Sequence, residues 1–402
     1  MNSLAHIMAD TDRRLHILVL ADGIFPFVVG GMQRHSSYVV RYLLARGHEV
    51  TLGHTITDKS PLPSRGEVTK ALGISDDAPF HHTCIRFPSL GVAPGHYLKE
   101  SYAASRMLFD GFRPMLNQVD FIYAKGFTGW YFIEQRIRRK ADCPPVGVKF
   151  HGYEMFQTHT GWRGWWEKLL LRPPVKWISR HADVVFSYGG KITDIIRSVG
   201  VPLARIAEVP SGIEDAWCLP EAPKRTGPVR LLFLGRFERR KGIGDLHRAV
   251  AALPSNGQWE LELIGPIPPS ARLRSAQVTY HGAVTDREKL LTIMDRCDIL
   301  VVPSYAEGMP NVILEGMARG LAIIATDVGA VNLMVSNRNG WLLHKADEKL
   351  LTQTLTEAIT VPRDQLALMQ AASLDLVKDR YRWEAVADQL DKEIRRFSAL
   401  KR

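Results

Sequence analysis

The chain has 402 residues, 46% of them apolar and 23% charged, an ordinary soluble balance at a length that gives two domains each a full core. No apolar run reaches the roughly 18 residues of a membrane span. The formal charge of +10 points to an anionic partner; nucleic acid is set aside, because no helix-turn-helix, RNP or zinc-finger pattern occurs.

The N-terminal stretch is interrupted by Asp10, Asp12, Arg13 and Arg14, so it does not read as a cleaved signal. Leu15–Ala21 reads as the first strand and Met32–Arg46 as the first helix, closed by Gly47. Between them lie Gly30 and Gly31. They form no GxGxxG fingerprint, which argues against a dinucleotide cofactor. Paired glycines there serve either as a flexible turn or as a place where backbone amides approach an oxyanion. Further strands are expected at Glu49–Gly53, Phe121–Ala124, Val146–Phe150, Val184–Ser187 and Ile206–Val209. His151 ends the strand at 146–150 and is open to either a capping or a ligand-contacting role. Trp162–Arg172 mixes tryptophans, basic residues and leucines on one helix. That suits an interfacial helix on anionic lipid as well as it suits a core-facing helix. Ile137-Arg138-Arg139-Lys140 adds a basic patch that a solvated helix end also explains.

Residues 217–228, rich in Pro and charge, read as a linker. Beyond it the strands are Val229–Leu234, Glu260–Ile264, Val278–His281, Ile299–Val302 and Leu321–Ala325, alternating with helices as in parallel sheets. An amphipathic helix spans Arg382–Phe397. The expected organisation is an N-terminal Rossmann-like domain over 1–212, a second over 213–381, and a terminal helix over 382–402. Four cysteines (Cys84, Cys143, Cys218, Cys297) contain no CxxC pair, so neither a zinc site nor a disulfide framework is expected, and a cytoplasmic location fits.

Two loops in the second half carry candidate chemistry. Gly235-Arg236 runs through Arg239 and Arg240 to Lys241-Gly242, just before a helix at 243–253. Arg236 offers a planar fork and Lys241 a point charge for a diphosphate. Arg239 and Arg240 read as solvated. Glu307-Gly308-Met309-Pro310-Asn311 then joins the strand at 299–302 to a helix at 311–319, with Pro310 in its first turn and Glu315 inside it. Amides at that helix start suit a phosphate or a polarised hydroxyl, and the two carboxylates suit sugar or ribose hydroxyls.

Gly235-Arg236, Lys241-Gly242 and Glu307 through Glu315 together resemble the retaining GT-B glycosyltransferases of the family 4 / group 1 type. Gly30-Gly31, His151 and Pro210-Ser-Gly-Ile213 extend the likeness over most of the chain. The resemblance implies two doubly wound α/β domains facing a cleft, with the terminal helix crossing back to the first domain. It implies transfer of a sugar, with retention, from a nucleotide-diphosphate-sugar to a hydroxyl of a glycan or lipid-linked acceptor, in surface polysaccharide or lipopolysaccharide assembly. Glu315 would hold ribose, Arg236 and Lys241 the diphosphate, Glu307 and the 308–311 amides the donor sugar. His151 would hydrogen-bond the transferred sugar, and Gly30 and Gly31 would face the diphosphate. No DxD-like motif lies at the donor site, so no metal or other cofactor is expected. A nucleotide-sugar epimerase or a non-catalytic nucleotide-sugar binder would share the architecture. One departure stands out: Leu333 falls where the family often places an acid after Asp327-Val-Gly329.

Overall fold

The computed structural model describes residues 13–57, 61–91, 95–138, 143–157, 162–254 and 257–399, the side chains of 162–168 excepted. The predicted Trp162–Arg172 helix therefore lies largely outside the described side chains, as do Arg139 and Lys140.

Two parallel sheets form. The first holds β1 (His16–Ala21), β2 (Glu49–Ile56), β3 (Phe80–Arg86), β4 (Phe121–Lys125), β5 (Val146–Lys149), β6 (Val184–Ser187) and β7 (Ile206–Glu208). Their order is β3-β2-β1-β4-β5-β6-β7. The second holds β8 (Val229–Leu234), β9 (Trp259–Ile264), β10 (Val278–Gly282), β11 (Ile299–Val302), β12 (Ala322–Thr326) and β13 (Gly340–Leu343), ordered β10-β9-β8-β11-β12-β13. The first half carries helices α1 (Gly31–Ala45), α2 (Arg65–Leu72), α3 (His96–Phe112), α4 (Trp130–Ile137), α5 (Trp162–His181) and α6 (Lys191–Ser198). The second carries α7 (Ile243–Ala251), α8 (Arg287–Asp295), α9 (Asn311–Ala318), α10 (Glu348–Thr360), α11 (Arg363–Arg380) and α12 (Trp383–Ser398).

Central strands are buried on both faces, which is why they read as unbroken apolar runs. Each sheet has two apolar clusters. The edge strands β3 and β13 escape the sequence reading. Both lie half-exposed on a sheet margin, and β3 carries His81 and His82 where a buried strand would be aliphatic.

The order of each sheet reverses once, between β1 and β4 in the first and between β8 and β11 in the second. Such switch points open a crevice at the carboxyl ends of the strands, where ligands bind in this architecture. The loops bearing Arg236–Lys241 and Glu307–Pro310 leave β8 and β11, so they face each other across one crevice.

The terminal helix packs on the first sheet. Trp383, Val386, Leu390, Ile394 and Phe397 join the core of the first sheet beside Val39, Val40 and Leu43 of α1. Trp383 stacks on Tyr42 with centroids 5.6 Å apart. Ile213 N donates to the Tyr381 carbonyl at 2.7 Å and Trp383 N donates to the Ile213 carbonyl at 3.0 Å, an isolated bridge that ties the two segments together. Tyr38 and Arg41 of α1 bind Glu214 beside this knot at 2.7 and 3.0 Å. Burial of five apolar side chains at about 1.5–3 kcal/mol each makes α12 a strong clasp on the first half. No helix among the described residues is long and apolar enough to cross a membrane.

Candidate active site

The site is built where the second sheet's crevice meets the loop after β5. Gly242 adopts φ +70°, and a side chain there would collide with the Pro303 carbonyl. This glycine lets the β8 loop press onto the β11 loop. Lys241 is thereby brought to Glu307: Nζ donates to Oε1 at 2.6 Å, with the Glu307 side chain only 7% exposed. The predicted phosphate lysine and the predicted sugar carboxylate are therefore one ion pair.

Arg240 is not solvated as its position in a basic run suggests. Its side chain is mostly enclosed and lies 3.1 Å from Glu154, 3.3 Å from Glu238 and 3.5 Å from Glu307. It also donates to the Ala306 carbonyl at 3.0 Å. Burial opposes its charge, but the three carboxylates outweigh that and hold its pKa above the usual guanidinium value. Arg236 takes the opposite place. Its side chain is 70% exposed and reaches Glu238 at 3.0 Å, so it stands at the mouth of the crevice.

Glu307 is also gripped from the first half of the chain. Gln157 donates to its carbonyl at 2.6 Å and accepts from its N–H at 3.2 Å. Gly308 lies so close to the His151 carbonyl that a Cβ would overlap it. The His151-Gly152-Tyr153 turn makes this possible through Tyr153, whose φ of 49° is unusual for a non-glycine residue. Gln157, Glu154 and Arg240 were all passed over in the sequence. Glu154 and Gln157 lie in a short irregular segment with no pattern to mark them; the basic run did mark Arg240 but could not separate it from Arg239.

Pro310 precedes α9 at its cap position rather than entering its first turn, and Asn311 is the first helical residue. The first amides of α9 have no partner within the helix. Ser211 donates to Asn311 Oδ1 at 3.0 Å, and its N–H approaches Met309 Sδ at 3.1 Å, so the Pro210–Ile213 stretch docks directly on the loop between β11 and α9. Gly31, the first residue of α1, faces Asn311: a Cβ there would lie 3.4 Å from Nδ2. Gly30 caps α1 in extended backbone (φ 170°) and needs no left-handed freedom; its constraint is the adjacent Gln33 side chain. A Cβ at Gly235 would lie 3.3 Å from Phe233 Cζ, a tight contact that the phenyl ring would have to relieve by a few tenths of an ångström.

Glu315 stands alone. No hydrogen bond or ion pair engages its carboxylate among the described residues. Burial raises its pKa, opposed by the charge of Arg34 on α1. A carboxylate held in a low-dielectric place without a partner suits hydroxyl donors of a ligand. Leu333, standing where an acid was looked for, packs against Gly189 of the first half, where a Cβ would collide with it.

His151 lies on the other wall. Its Nδ1 is 2.7 Å from the Tyr188 hydroxyl, and its Nε2 is buried without a partner among the described residues. Arg172, in the predicted interfacial helix, turns inward: it donates to the Met155 carbonyl at 2.8 Å and lies over Phe156. Arg138 pairs with Glu134 at 2.6 Å. All four cysteines are free.

Family models match both halves. One described as glycosyl transferases group 1 covers residues 228–360, and one described as Glycosyltransferase Family 4 covers 29–217. Glycogen synthase of Mycobacterium tuberculosis (strain CDC 1551 / Oshkosh) is 26% identical over 397 residues, spanning 93% of this chain and 92% of its own. Sucrose-phosphate synthase from Thermosynechococcus elongatus superposes with a TM-score of 0.74 at 21% identity, over 96% of this chain and 100% of that one. Anabaena HepE, solved in complex with UDP and glucose, superposes at 0.66 with 16% identity over 94% and 99%. These structural likenesses show a shared GT-B fold of two α/β domains. With both halves matched by models of one kind, the chain belongs to the group 1 / family 4 glycosyltransferases.

Proposed function

We propose that the chain transfers a sugar, with retention, from a nucleotide-diphosphate-sugar to a hydroxyl of a glycan or lipid-linked acceptor in surface polysaccharide assembly. The observation that carries this reading is the meeting of Lys241, Arg240 and Glu307 at the β8/β11 switch point, with the unpartnered Glu315 on the helix that follows the β11 loop. Glu315 would accept ribose hydroxyls. Lys241, with Arg236 at the mouth, would take the diphosphate. Glu307 and the amides of Gly308, Met309 and Asn311 would hold the transferred sugar. As the bond from the anomeric carbon to phosphate breaks, its electron pair goes to the diphosphate oxygen and the ring gains oxocarbenium character. Fixed cations beside that oxygen lower the barrier without reorganisation. The new bond forms from the acceptor oxygen, whose proton leaves with the diphosphate. HepE, a fold relative solved with UDP, supports a uridine nucleotide as the first donor to try.

A thermal-shift screen against UDP, GDP, ADP and their sugars selects the donor, since a bound ligand raises apparent stability by mass action. Transfer to an added glycan then tests the reading. Sugar interconversion without an acceptor would mean an epimerase, and binding without donor consumption would mean a non-catalytic binder.

The raised pKa of Glu315 fixes the sign of a pH effect. Its carboxylate protonates earlier on acidification than an ordinary glutamate, so nucleotide affinity falls sooner. Titration calorimetry with the selected nucleoside diphosphate is expected to show weakening as the solution is acidified, and Glu315→Gln is expected to be weak and flat across the same range. An unchanged pH profile in that variant would place the ribose elsewhere.

We further propose that no divalent metal is required, because Lys241 and Arg236 supply the positive charge that a metal supplies in other transferases. Turnover is expected to persist in excess chelator. Complete loss, restored only by added Mg²⁺ or Mn²⁺, would overturn this.

The charge of +10 and the tryptophan-rich start of α5 favour work at an anionic membrane face from the cytoplasmic side. In flotation assays the chain is expected to rise with anionic vesicles at low salt and to stay down with neutral ones. No flotation at low salt would remove the membrane from the proposal.

A further inference from the structure

The first sheet has a switch point of its own, with an unpaired acid at it. Asp22 directly follows β1, which pairs with β4 there, and its Oδ1 is buried without a partner among the described residues. Burial raises its pKa, opposed by a backbone hydrogen bond and by the charge of Lys125. An oxygen so placed suits a hydroxyl donor of a ligand. Aromatic rings lead outward from this acid. Tyr97, at the start of α3, senses it: burial of the phenol raises its pKa and the Asp22 charge pushes the same way, while the residue is 49% exposed. The next ring is Phe127, 5.9 Å from Tyr97, followed by Trp130 at 5.8 Å and Tyr102 at a further 5.3 Å. Phe127 also lies 5.6 Å from Phe150, the residue before His151, so the row of rings starts on the cleft wall.

The row ends in a cavity of about 390 Å³ between α3, α4 and α5, lined by Tyr102, Trp130, Glu134, Ile137, Arg138 and Trp177. That volume is within the range of small-ligand sites. Phe127, Trp130, Tyr102 and Trp177 are all half-buried, so each ring keeps part of its surface open. Every ring but that of Phe127 ends in a polar atom, a phenol hydroxyl or an indole N–H. The Tyr102 hydroxyl donates to Glu134 at 2.7 Å, and Arg138 pairs with the same carboxylate at 2.6 Å. At each end an acid stands beside a base, Asp22 by Lys125 and Glu134 by Arg138, so the charge balances. A pyranose shows C–H groups on its faces and hydroxyls at its rim, which matches aromatic faces edged by polar tips. A hydrocarbon chain would desolvate those tips without pairing them. A charged polymer would find no excess of opposite charge among the lining residues.

We propose that the acceptor is a neutral glycan of several rings, its leading ring hydrogen-bonded to Asp22 and its body lying along Tyr97, Phe127 and Trp130 into the cavity at Tyr102 and Trp177. This rests on the glycosyl transfer proposed above, and it chooses between the glycan and the lipid-linked acceptor named there.

The test compares three kinds of acceptor on the full chain with the donor selected by thermal shift: methyl glucoside and methyl mannoside, maltohexaose and mannohexaose, and octyl glycosides of the same two sugars. The KM of at least one hexasaccharide is expected to lie about 10-fold below that of its methyl glycoside, with no such gain from the octyl chain. Tyr97→Ala and Trp177→Ala are each expected to raise the hexasaccharide KM about 3–10-fold while melting close to the parent, the effect of one lost stacking contact. Asp22→Asn is expected to raise acceptor KM about 10-fold at both lengths, as a charged hydrogen-bond acceptor is lost. Should Trp177→Ala not fold, the length dependence of the parent and the more exposed Tyr97 decide. A hexasaccharide KM no lower than that of the methyl glycoside would overturn the proposal. An equal gain from the octyl chain would overturn it too and assign the row of rings to a hydrocarbon. Donor hydrolysis in water with no neutral glycan accepted would overturn it while leaving a sugar-nucleotide enzyme in place. If no donor is consumed at all, the proposed function fails and this inference with it.

Discussion

Lys241→Ala is expected to lower turnover about 10²–10³-fold with the fold intact, the range set by removing one preorganised group that stabilises developing charge. The side chain sits at the switch point of the second sheet, where Gly242 lets its loop close onto the β11 loop. It carries the enclosed positive charge nearest to Glu307, at 2.6 Å. Arg236 cannot replace it from the mouth of the crevice, where its side chain is 70% exposed. Arg240 cannot either, because Glu154 and Glu238 already hold it. The variant should therefore lose both nucleoside-diphosphate affinity and turnover, and Arg236→Ala should show a smaller loss of both. Steady-state kinetics with the selected donor, alongside calorimetry with the nucleoside diphosphate alone, checks this. Near-normal rates in Lys241→Ala would mean that the phosphate site lies elsewhere.

Glu307→Gln separates the sugar from the phosphate. In the structure the Glu307 carboxylate occupies Lys241, so a diphosphate arriving at Lys241 competes with it. Neutralising Glu307 releases that lysine. Turnover is expected to fall about 10²-fold, because a charged acceptor to the sugar hydroxyls is lost. Affinity for the nucleoside diphosphate without its sugar is expected to hold or rise. Thermal stability should drop by about 1–3 kcal/mol, since the enclosed Lys241 ammonium keeps only a neutral amide oxygen where it had a carboxylate. If Glu307→Gln weakens the nucleoside diphosphate as much as Lys241→Ala does, then Glu307 organises the phosphate site and the proposed division of labour is wrong. The two variants together thus test roles and not merely importance.

The Glu307–Glu315 spacing and the Gly235-Arg236 to Lys241-Gly242 loop were legible in the sequence because each motif is local. A strand end, a turn and a helix start place their residues within a few positions of one another. The α12 helix was legible as an amphipathic pattern and its return to the first domain was expected through the resemblance, whereas its seat on α1 is visible only in the structure. Arg240 shows the limit. Three basic residues stand in a row, and what distinguishes the middle one is the approach of carboxylates from Glu154, Glu238 and Glu307. Gln157 shows it again: its amide serves the backbone of a residue 150 positions away.

By itself the sequence determined the alternation of apolar strands and amphipathic helices, hence two parallel sheets, and it placed the acids and bases of the β8 and β11 loops at strand ends. Periodicity and turn chemistry are short-range properties of the backbone, readable without knowing what packs on what. The tertiary structure decided which charges are enclosed, which are paired and which stay free: Lys241 on Glu307, Arg240 between three acids, Arg236 in solvent, Glu315 alone. Desolvation and Coulomb attraction depend on the distance between groups and on the dielectric around them, and both are set only when segments far apart in the chain meet.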